Sequence, residues 1–256
     1  MMYSGIFDTH AHYDDECFDG DRFELFDEML ASGVCGIINC GCTVKSSKTS
    51  IEFAEKYPQI YAAAGIHPQN AAEESEDALQ KIEELAKHEK VVAIGEIGLD
   101  YHYDYTPKEM QIEFFERQIL LAKKLDLPVI VHDREAHQDC VEMLLKHRPR
   151  GVMHCFSGSV ETAKQLTDIG FYIGLGGSVT FKNARKPAEV AASIGLDRIL
   201  LETDCPYMTP VPFRGRRNNS ALIMHTAEKI AQLREITAQE VIDAARKNAY
   251  KLFNIK

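Results

Sequence analysis

Short apolar runs alternate with amphipathic helical segments along the whole chain, and this alternation limits the fold more than any other feature. The runs have the length of buried strands, and the segments between them repeat apolar residues at helical spacing. The predicted strands are Gly5–Phe7, Val34–Asn39, Ile60–Ile66, Val91–Gly95, Pro128–Val131, Val152–Met153, Phe171–Gly174 and Arg198–Leu201. The predicted helices are Asp19–Gly33, Ser46–Tyr57, Glu76–His88, Glu109–Leu125, Ala136–His147, Val160–Ile169, Arg185–Ile194 and Ala221–Phe253, the last divided near Ile236-Thr237. Apolar strands separated by helices are typical of parallel βαβ units.

Eight such units in a chain of 256 residues predict an α/β fold, a closed (β/α)8 TIM barrel. An open doubly wound sheet is the alternative, and it commonly carries a glycine-rich phosphate loop. The segment 174–177 follows a predicted strand but lacks the Gly-x-Gly-x-x-Gly spacing and a Lys-Ser/Thr pair, so we interpret it as a tight turn. No linker or low-complexity stretch interrupts the pattern, which predicts a single domain over residues 1–256.

The composition limits the class of protein. The chain has 45% hydrophobic and 27% charged residues, no apolar run of membrane-spanning length and no basic segment leading into a signal-peptide core. We therefore expect a cytoplasmic protein without a membrane partner. Seven cysteines without a Cys-x-x-Cys pair argue against a disulfide framework and a thiolate zinc site. A net charge of −10 gives no whole-surface attraction for nucleic acid, so a phosphate-bearing substrate needs a local basic patch or a metal ion.

Histidine and acidic residues follow the predicted strands at the ends where a parallel barrel places its active site. These residues are His10, His12, His67, Glu96, His132, His154, Glu202 and Asp204. His10 and His12 are two apart at a strand end, so their side chains point the same way and can reach one cation. Buried imidazoles need a partner and repel one another when protonated. A bound cation explains the cluster better than scattered polar strand ends, which are the alternative.

The donor set indicates the metal chemistry. Imidazoles with carboxylates and no thiolate suit Zn, Mn, Ni or Fe, and Mg where water completes the shell. The donors outnumber the needs of one catalytic ion, which favours two ions about 3.5–4 Å apart that share a carboxylate. Glu96 is the candidate bridge. One ion would be completed by His10, His12 and Asp204, and the other by His132 and His154.

Six segments, in order along the chain, resemble the motifs of one enzyme family. They are Phe7–His12, Gly65–Pro68, Ile94–Asp100, His154–Gly158, Leu201–Asp204 and Arg214–Asn218. As a set they are similar to the TatD family of metal-dependent deoxyribonucleases in the amidohydrolase-like superfamily. Ser220, where the family has a proline, is a departure that we expect at the rim of the site.

The resemblance implies a barrel that binds two or three divalent ions, with Mg, Mn or Zn as candidates. It also implies a hydrolase of phosphodiester bonds, typically a 3′ to 5′ exonuclease acting on DNA as single strands or 3′ ends. DNA repair is the expected context, and we expect a monomer. The implied metal ligands are His10, His12, Glu96, His132, His154 and Asp204, and the implied further active-site residues are His67, His102 and Glu202.

Each candidate residue has a predicted role in phosphodiester hydrolysis. A metal pair acidifies a water molecule and offsets charge on the phosphoryl group. Asp204 or Glu202 would orient or deprotonate that water. His67 and His102 would bind a phosphate oxygen, protonate the leaving group or orient other groups. The expected substrate contacts are phosphate binding by Arg134 and Arg214 and base stacking by Tyr103, whose neighbours Tyr101 and Tyr105 could stack likewise or pack the loop.

Two other functions are compatible with the sequence. The same cluster could hydrolyse a carbon–nitrogen bond, as an amidohydrolase does, or a phosphotriester. Relatives with those activities commonly use a modifiable lysine where this chain has Glu96. The cluster could also be structural, in a metal-binding scaffold without catalysis. A structural site is coordinatively closed, whereas six ligands with further acids indicate an open one.

Overall fold

A computed structural model describes residues 3–256; Met1 and Met2, to which the expectation about a signal peptide also refers, lie outside the described residues. Over that range the chain forms eight strands and nine α-helices. The strands are β1 (Ile6–Ala11), β2 (Val34–Cys40), β3 (Ile60–Ala64), β4 (Val91–Asp100), β5 (Val129–Arg134), β6 (Gly151–Met153), β7 (Tyr172–Leu175) and β8 (Ile199–Leu201). The helices are α1 (Arg22–Ala31), α2 (Val44–Lys56), α3 (Ala78–Leu85), α4 (Lys108–Leu125), α5 (His137–His147), α6 (Val160–Asp168), α7 (Arg185–Ser193), α8 (Ile223–Arg234) and α9 (Ala238–Phe253). None of the helices within residues 3–256 is long and apolar enough to cross a membrane.

All eight strands are parallel and lie in one sheet, in chain order from β1 to β8. The sheet closes where β1 meets the segment after β8. The backbone N–H of Asp204 donates to the carbonyl oxygen of His10 (3.0 Å), and the N–H of His12 donates to that of Cys205 (2.9 Å). Sequential strand order and closure confirm the (β/α)8 barrel and exclude the doubly wound sheet, whose strand order reverses at a switch point.

Alternating side chains fill the barrel and support the site above them. One buried cluster includes Ile130, Val152 and Leu200, together with the C-terminal end of α9. Each of these three residues precedes a predicted site residue by two positions, and residues two apart on a strand point to the same face. A larger apolar cluster packs the helices against the strands. The core therefore places histidine and carboxylate side chains at the C-terminal mouth of the barrel, as predicted.

β4 and β5 are longer than their apolar runs predict. β4 extends to Asp100 and β5 to Arg134, and the two extensions pair with each other. Gly98 allows the close pairing, because its φ is +143° and a Cβ there would lie 2.0 Å from the carbonyl oxygen of His132. Residues 98–100, which follow the predicted strand Val91–Gly95, therefore belong to β4 and not to the loop before the next helix. Glu96 and His132 lie inside their strands and not just past them.

The last helical region divides as predicted. α8 ends at Arg234, and α9 begins after Thr237. The Thr237 hydroxyl accepts from the N–H of Glu240, and the Glu240 carboxylate accepts from the N–H of Thr237. This reciprocal capping box satisfies two backbone donors and starts a new helix. The first helix is shorter than its prediction, because α1 begins at Arg22 and not at Asp19, and it ends at Ala31 and not at Gly33.

A buried carboxylate joins β1 to the chain after β8. Asp8 is fully buried and accepts hydrogen bonds from the N–H and hydroxyl of Thr203 (3.0 and 2.6 Å) and from the hydroxyl of Ser220 (2.7 Å). Burial raises the pKa of Asp8 to about 6, although these hydrogen bonds lower it. Ser220 is itself fully buried, so its predicted place at the rim is wrong. It stabilises the closure of the barrel instead.

Two buried glutamines of α4 hold the chain at the ends of β3 and β4. The amide of Gln118 accepts from the N–H of Ile66 (2.8 Å) and donates to its carbonyl oxygen (3.0 Å), as a neighbouring strand would. Gln111, seven residues earlier on the same helix, makes the same two bonds to Asp100, both 2.9 Å long. Because His67 follows Ile66 directly, Gln118 fixes the backbone next to His67. Gln111 fixes the backbone of Asp100 in the same way.

We predict that Gln118→Met destabilises the fold, because the N–H and carbonyl group of Ile66 lose their partners while the buried volume is largely kept. The expected loss in the free energy of unfolding is about 2 kcal/mol, whereas Arg117→Met, on the exposed side of the same helix, should change it by less than about 0.5 kcal/mol. Urea unfolding followed by circular dichroism measures both variants. Equal losses would show that the bonds to Ile66 contribute nothing.

Candidate metal centre

The closed barrel gathers six side chains from five strands into one group at its mouth. They are His10 and the adjoining His12 at β1, Glu96 on β4, His132 on β5, His154 after β6 and Asp204 after β8. These are the six residues predicted as metal ligands. The structure places them as neighbours although they are spread over most of the sequence.

Glu96 lies at the centre of the group, and its two carboxylate oxygens face different partners. Oε2 lies 3.5 Å from His10 Nε2 and 3.4 Å from His12 Nε2. Oε1 lies 2.8 Å from His132 Nδ1 and 2.9 Å from His154 Nε2. One buried carboxylate thus faces two pairs of imidazoles, which is the arrangement expected of a carboxylate shared by two metal ions.

Asp204 completes the first of these pairs. Its Oδ1 lies 3.7 Å from His10 Nε2 and 3.6 Å from His12 Nε2. The Asp204 side chain is 20% exposed, whereas that of Glu96 is 4% exposed. Asp204 is therefore the carboxylate on the solvent side of the group.

Hydrogen bonds on the far side of two rings free their other nitrogen for a metal. His12 Nδ1 lies 3.0 Å from the carbonyl oxygen of Cys40, which can only accept, so Nδ1 carries the proton. His132 Nε2 lies 3.2 Å from Asp100 Oδ2 and donates in the same way. The nitrogen that faces Glu96 is then unprotonated in each neutral ring. A metal ligand needs such an unprotonated nitrogen. In both rings the hydrogen bond of the opposite nitrogen fixes this tautomer.

The ring nitrogens are packed as donors around a cation would be. His10 Nε2 and His12 Nε2 are only 2.9 Å apart, and the rings of His10 and His154 stack with centroids 3.9 Å apart. Two lone pairs facing each other at such a distance need a proton or a cation between them. His154 Nδ1 is buried without a hydrogen-bond partner. A divalent cation fits these donors and supplies the missing partner for the facing nitrogens.

The electrostatics of the group also favour positive charge. Burial lowers the pKa of His132, but hydrogen bonds to Asp100 and Glu96 outweigh this effect and raise it to about 9. Burial raises the pKa of Glu96, but the surrounding histidines hold it well below the usual value of a glutamate. The carboxylates thus remain ionised in a buried place, where metal ions can replace protons as their counter-charge.

Asp100 is a site residue that the sequence prediction left without a role. With His67 and His132 it forms a further group whose ligand atoms lie within 4.8 Å of one another. His132 Nε2 donates to Asp100, however, and His67 Nδ1 accepts from the N–H of Gln69 (3.2 Å), which leaves the proton of a neutral His67 on Nε2. Asp100 therefore orients His132, whereas His67 Nε2 lies 3.9 Å from Glu96 Oε1, too far for a hydrogen bond. Asp100 lies four residues after Glu96 on the same strand. Its place in the site can be predicted only when β4 is known to continue to residue 100.

Of the other two predicted active-site residues, His102 is exposed and Glu202 is buried. His102 is exposed on the loop after β4, with Nδ1 2.7 Å from Glu135 Oε1. Glu202 is buried behind His154: its Oε1 accepts from the N–H of Cys155 and lies 3.9 Å from His154 Nδ1. Burial raises the pKa of Glu202 to about 8. Of the two acidic residues after β8, Glu202 is thus buried beside His154, and Asp204 is the more exposed.

The sequence of residues 7–254 matches the protein family described as "TatD related DNase". The chain belongs to the TatD family. YabD, a metal-dependent hydrolase of Bacillus subtilis (strain 168), is 46% identical over 98% of this chain and 99% of its own. The 3'-5' ssDNA/RNA exonuclease TatD of Citrobacter rodentium (strain ICC168) is 32% identical, with 98% of each chain covered. The crystal structure of YjjV, a TatD homologue from Escherichia coli K12, matches with a TM-score of 0.93 and 34% identity over 100% of both chains.

Membership of the TatD family makes this protein a metal-dependent hydrolase on a TIM barrel. The resemblance predicted from the six motifs is thereby confirmed. The interpretation as a non-catalytic scaffold has no support in these relatives, whose names are those of hydrolases.

The predicted substrate contacts of this TatD protein lie on the exposed rim of the barrel mouth. The Arg134 guanidinium lies 4.9 Å from the ring centroid of Tyr103. The Arg214 guanidinium lies 3.9 Å from the ring centroid of Phe181 and donates to the carbonyl oxygen of Thr209 (3.0 Å). Both arginines are exposed and have aromatic or backbone partners, so their charge is available to a phosphate group.

The two tautomers lead to a prediction about metal content in this TatD protein. His132→Gln should weaken Mn²⁺ binding by more than about tenfold, because it removes a nitrogen that faces Glu96 unprotonated. His67→Gln should leave Mn²⁺ binding unchanged, because His67 presents a proton and not a lone pair. Equilibrium dialysis against Mn²⁺ followed by elemental analysis compares the two variants. Equal losses would mean that His67 is a ligand like the others.

Proposed function

We propose that this protein is a divalent-metal-dependent phosphodiesterase that removes nucleotides from the 3′ ends of single-stranded DNA. The observation that carries the proposal is one buried carboxylate, Glu96, placed between two pairs of imidazoles at an open barrel mouth. Two exposed arginines beside that mouth favour an anionic substrate. The Citrobacter rodentium relative, whose name is that of an ssDNA/RNA exonuclease, supports the same class of reaction.

The candidate ligands divide into two sets around Glu96. When bound, divalent ions such as Mg, Mn or Zn acidify water and offset the negative charge that builds on a phosphoryl group. One set is His10, His12 and Asp204, and the other is His132 and His154. His154 also lies close to the first set, because its ligand atom is within 4.8 Å of those of His10 and Asp204. Asp204 lies on the solvent side of its set, where its carboxylate can accept the proton of the attacking water.

His67 and His102 would act on the substrate and not on the metal. His67 Nε2 carries a proton, and its side chain is 15% exposed at the mouth, so it can donate to a phosphate oxygen or to the leaving 3′ oxygen of the shortened strand. His102 lies further out, where Glu135 holds its ring. From there it can contact the nucleotide being removed.

The charge distribution favours cleavage at a strand end. A chain with a net charge of −10 cannot attract a polynucleotide over its whole surface, so DNA binding has to come from a few local contacts. Arg134, at the end of β5, and Arg214, on the loop after β8, would supply such contacts. A short contact with one or two phosphates suits the removal of terminal nucleotides more than binding along a duplex.

The proposal is tested with a 3′-labelled single-stranded oligonucleotide in the presence of Mg²⁺ or Mn²⁺. We expect release of labelled mononucleotides, which a chelator stops and added metal restores. Glu96→Ala should lower the rate by about 100-fold or more, whereas Glu55→Ala, an exposed glutamate of α2, should leave it unchanged. Failure to release nucleotides with any metal, together with hydrolysis of a phosphotriester or a cyclic amide, would overturn the proposal in favour of a small-molecule hydrolase.

A further inference from the structure

Two tyrosines on the loop after β4 stack on each other at the rim of the barrel mouth. The rings of Tyr103 and Tyr105 are nearly parallel, at 7°, with centroids 5.2 Å apart. The Arg134 guanidinium lies close to the Tyr103 ring. Tyr103 is 41% exposed and Tyr105 is 70% exposed. The outer ring of the stack, Tyr105, therefore presents an aromatic face to solvent, although burying such a face is favourable.

Hydrogen bonds tie this tyrosine pair to the candidate metal centre. The N–H of His102, the residue before Tyr103, donates to one oxygen of Asp100 (2.9 Å), and the other oxygen accepts from His132. The amide of Gln69 donates to the carbonyl oxygens of Asp100 (2.8 Å) and Tyr103 (3.0 Å). The backbone of the loop is thus held from two sides. The stack consequently has a defined position relative to the residues that would hold the metal.

We infer that the exposed face of Tyr105 binds one unpaired base of the polynucleotide whose phosphate lies at the candidate metal centre. This inference rests on the proposed function and adds to it the residue that anchors the strand and the reason for a preference for single strands. Bases of a duplex are already paired and stacked on one another. An unpaired base can leave its neighbours and stack on an aromatic ring, whatever its identity.

Another exposed ring shows why Tyr105 is suited to this role. Phe23 is also stacked on a tyrosine, but the ammonium group of Lys56 lies 3.4 Å from its centroid. That ring already has a cation as its partner. The cation beside the tyrosine pair, Arg134, lies over Tyr103 and not over Tyr105. Arg134 can therefore bind the phosphate backbone while Tyr105 stacks a base.

The test compares Tyr105→Ala with Tyr105→Phe on two single-stranded oligonucleotides of the same length, one complete and one with abasic residues at its last three positions. On the complete strand, Tyr105→Ala should raise KM about tenfold. The loss of one base–aromatic stack corresponds to a factor between about 5 and 150. Tyr105→Phe keeps the ring and should keep the parental KM. Leu145→Ala removes an exposed apolar side chain near the end of α5 and should change nothing.

Removing the bases should have the same effect as removing the ring. The abasic strand should raise the KM of the parental protein by a similar factor, and Tyr105→Ala should add no further loss. Equal effects of Tyr105→Ala on both strands, or none on either, would overturn the stacking inference, while continued hydrolysis would leave the proposed function standing.

A protein that hydrolyses neither strand would contradict the proposed function but still decide the inference. Binding would then be measured with an oligonucleotide that carries 2-aminopurine near its 3′ end, whose fluorescence falls when the base stacks. The parental protein should quench this fluorescence and bind the strand several-fold more tightly than Tyr105→Ala does. Identical quenching and affinity would overturn the stacking role of Tyr105.

Discussion

Closure of the barrel between β1 and the chain after β8 is the constraint on which the site depends. The buried carboxylate of Asp8 accepts hydrogen bonds from Thr203 and Ser220, and backbone bonds join the two segments beside it. β1 and the residue after it supply two imidazoles, and the segment after β8 supplies Asp204. One side of the candidate metal centre therefore exists only in the closed sheet. The hydrogen bonds that close the barrel therefore also bring together three proposed metal ligands, His10, His12 and Asp204.

Glu96 lies between these three residues and the other proposed ligands, His132 and His154. Its carboxylate is buried there, and burying an isolated ionised carboxylate costs free energy. Its side chain is almost fully buried, yet the imidazoles on both sides keep its pKa low. The ring tautomers then divide these histidines into two groups. His12 and His132 each donate away from Glu96 and present a lone pair, whereas His67 accepts from the backbone and presents a proton. The proposed metal ligands and the proposed substrate-facing donor thus differ in their hydrogen bonds, although all of them are histidines.

Much of this arrangement is predictable from the sequence because parallel strands bring their C-terminal ends to one face. Once His132 and His154 are placed at strand ends, their convergence with His10 follows from barrel closure. The sequence pattern misses what depends on partners far along the chain. Asp100 is hidden because Gly98 looks like the start of a loop, although it is the residue that lets β4 continue. The burial of Ser220 follows from a hydrogen bond to Asp8, more than 200 residues away, which no local pattern encodes.

Diffraction at the manganese absorption edge from crystals grown with Mn²⁺ tests the shared role of Glu96 most directly. We predict anomalous peaks on both sides of its carboxylate, one among His10, His12 and Asp204 and one beside His132 and His154. A single peak that lies away from Glu96, or none within this group of side chains, would contradict a metal pair held by that residue.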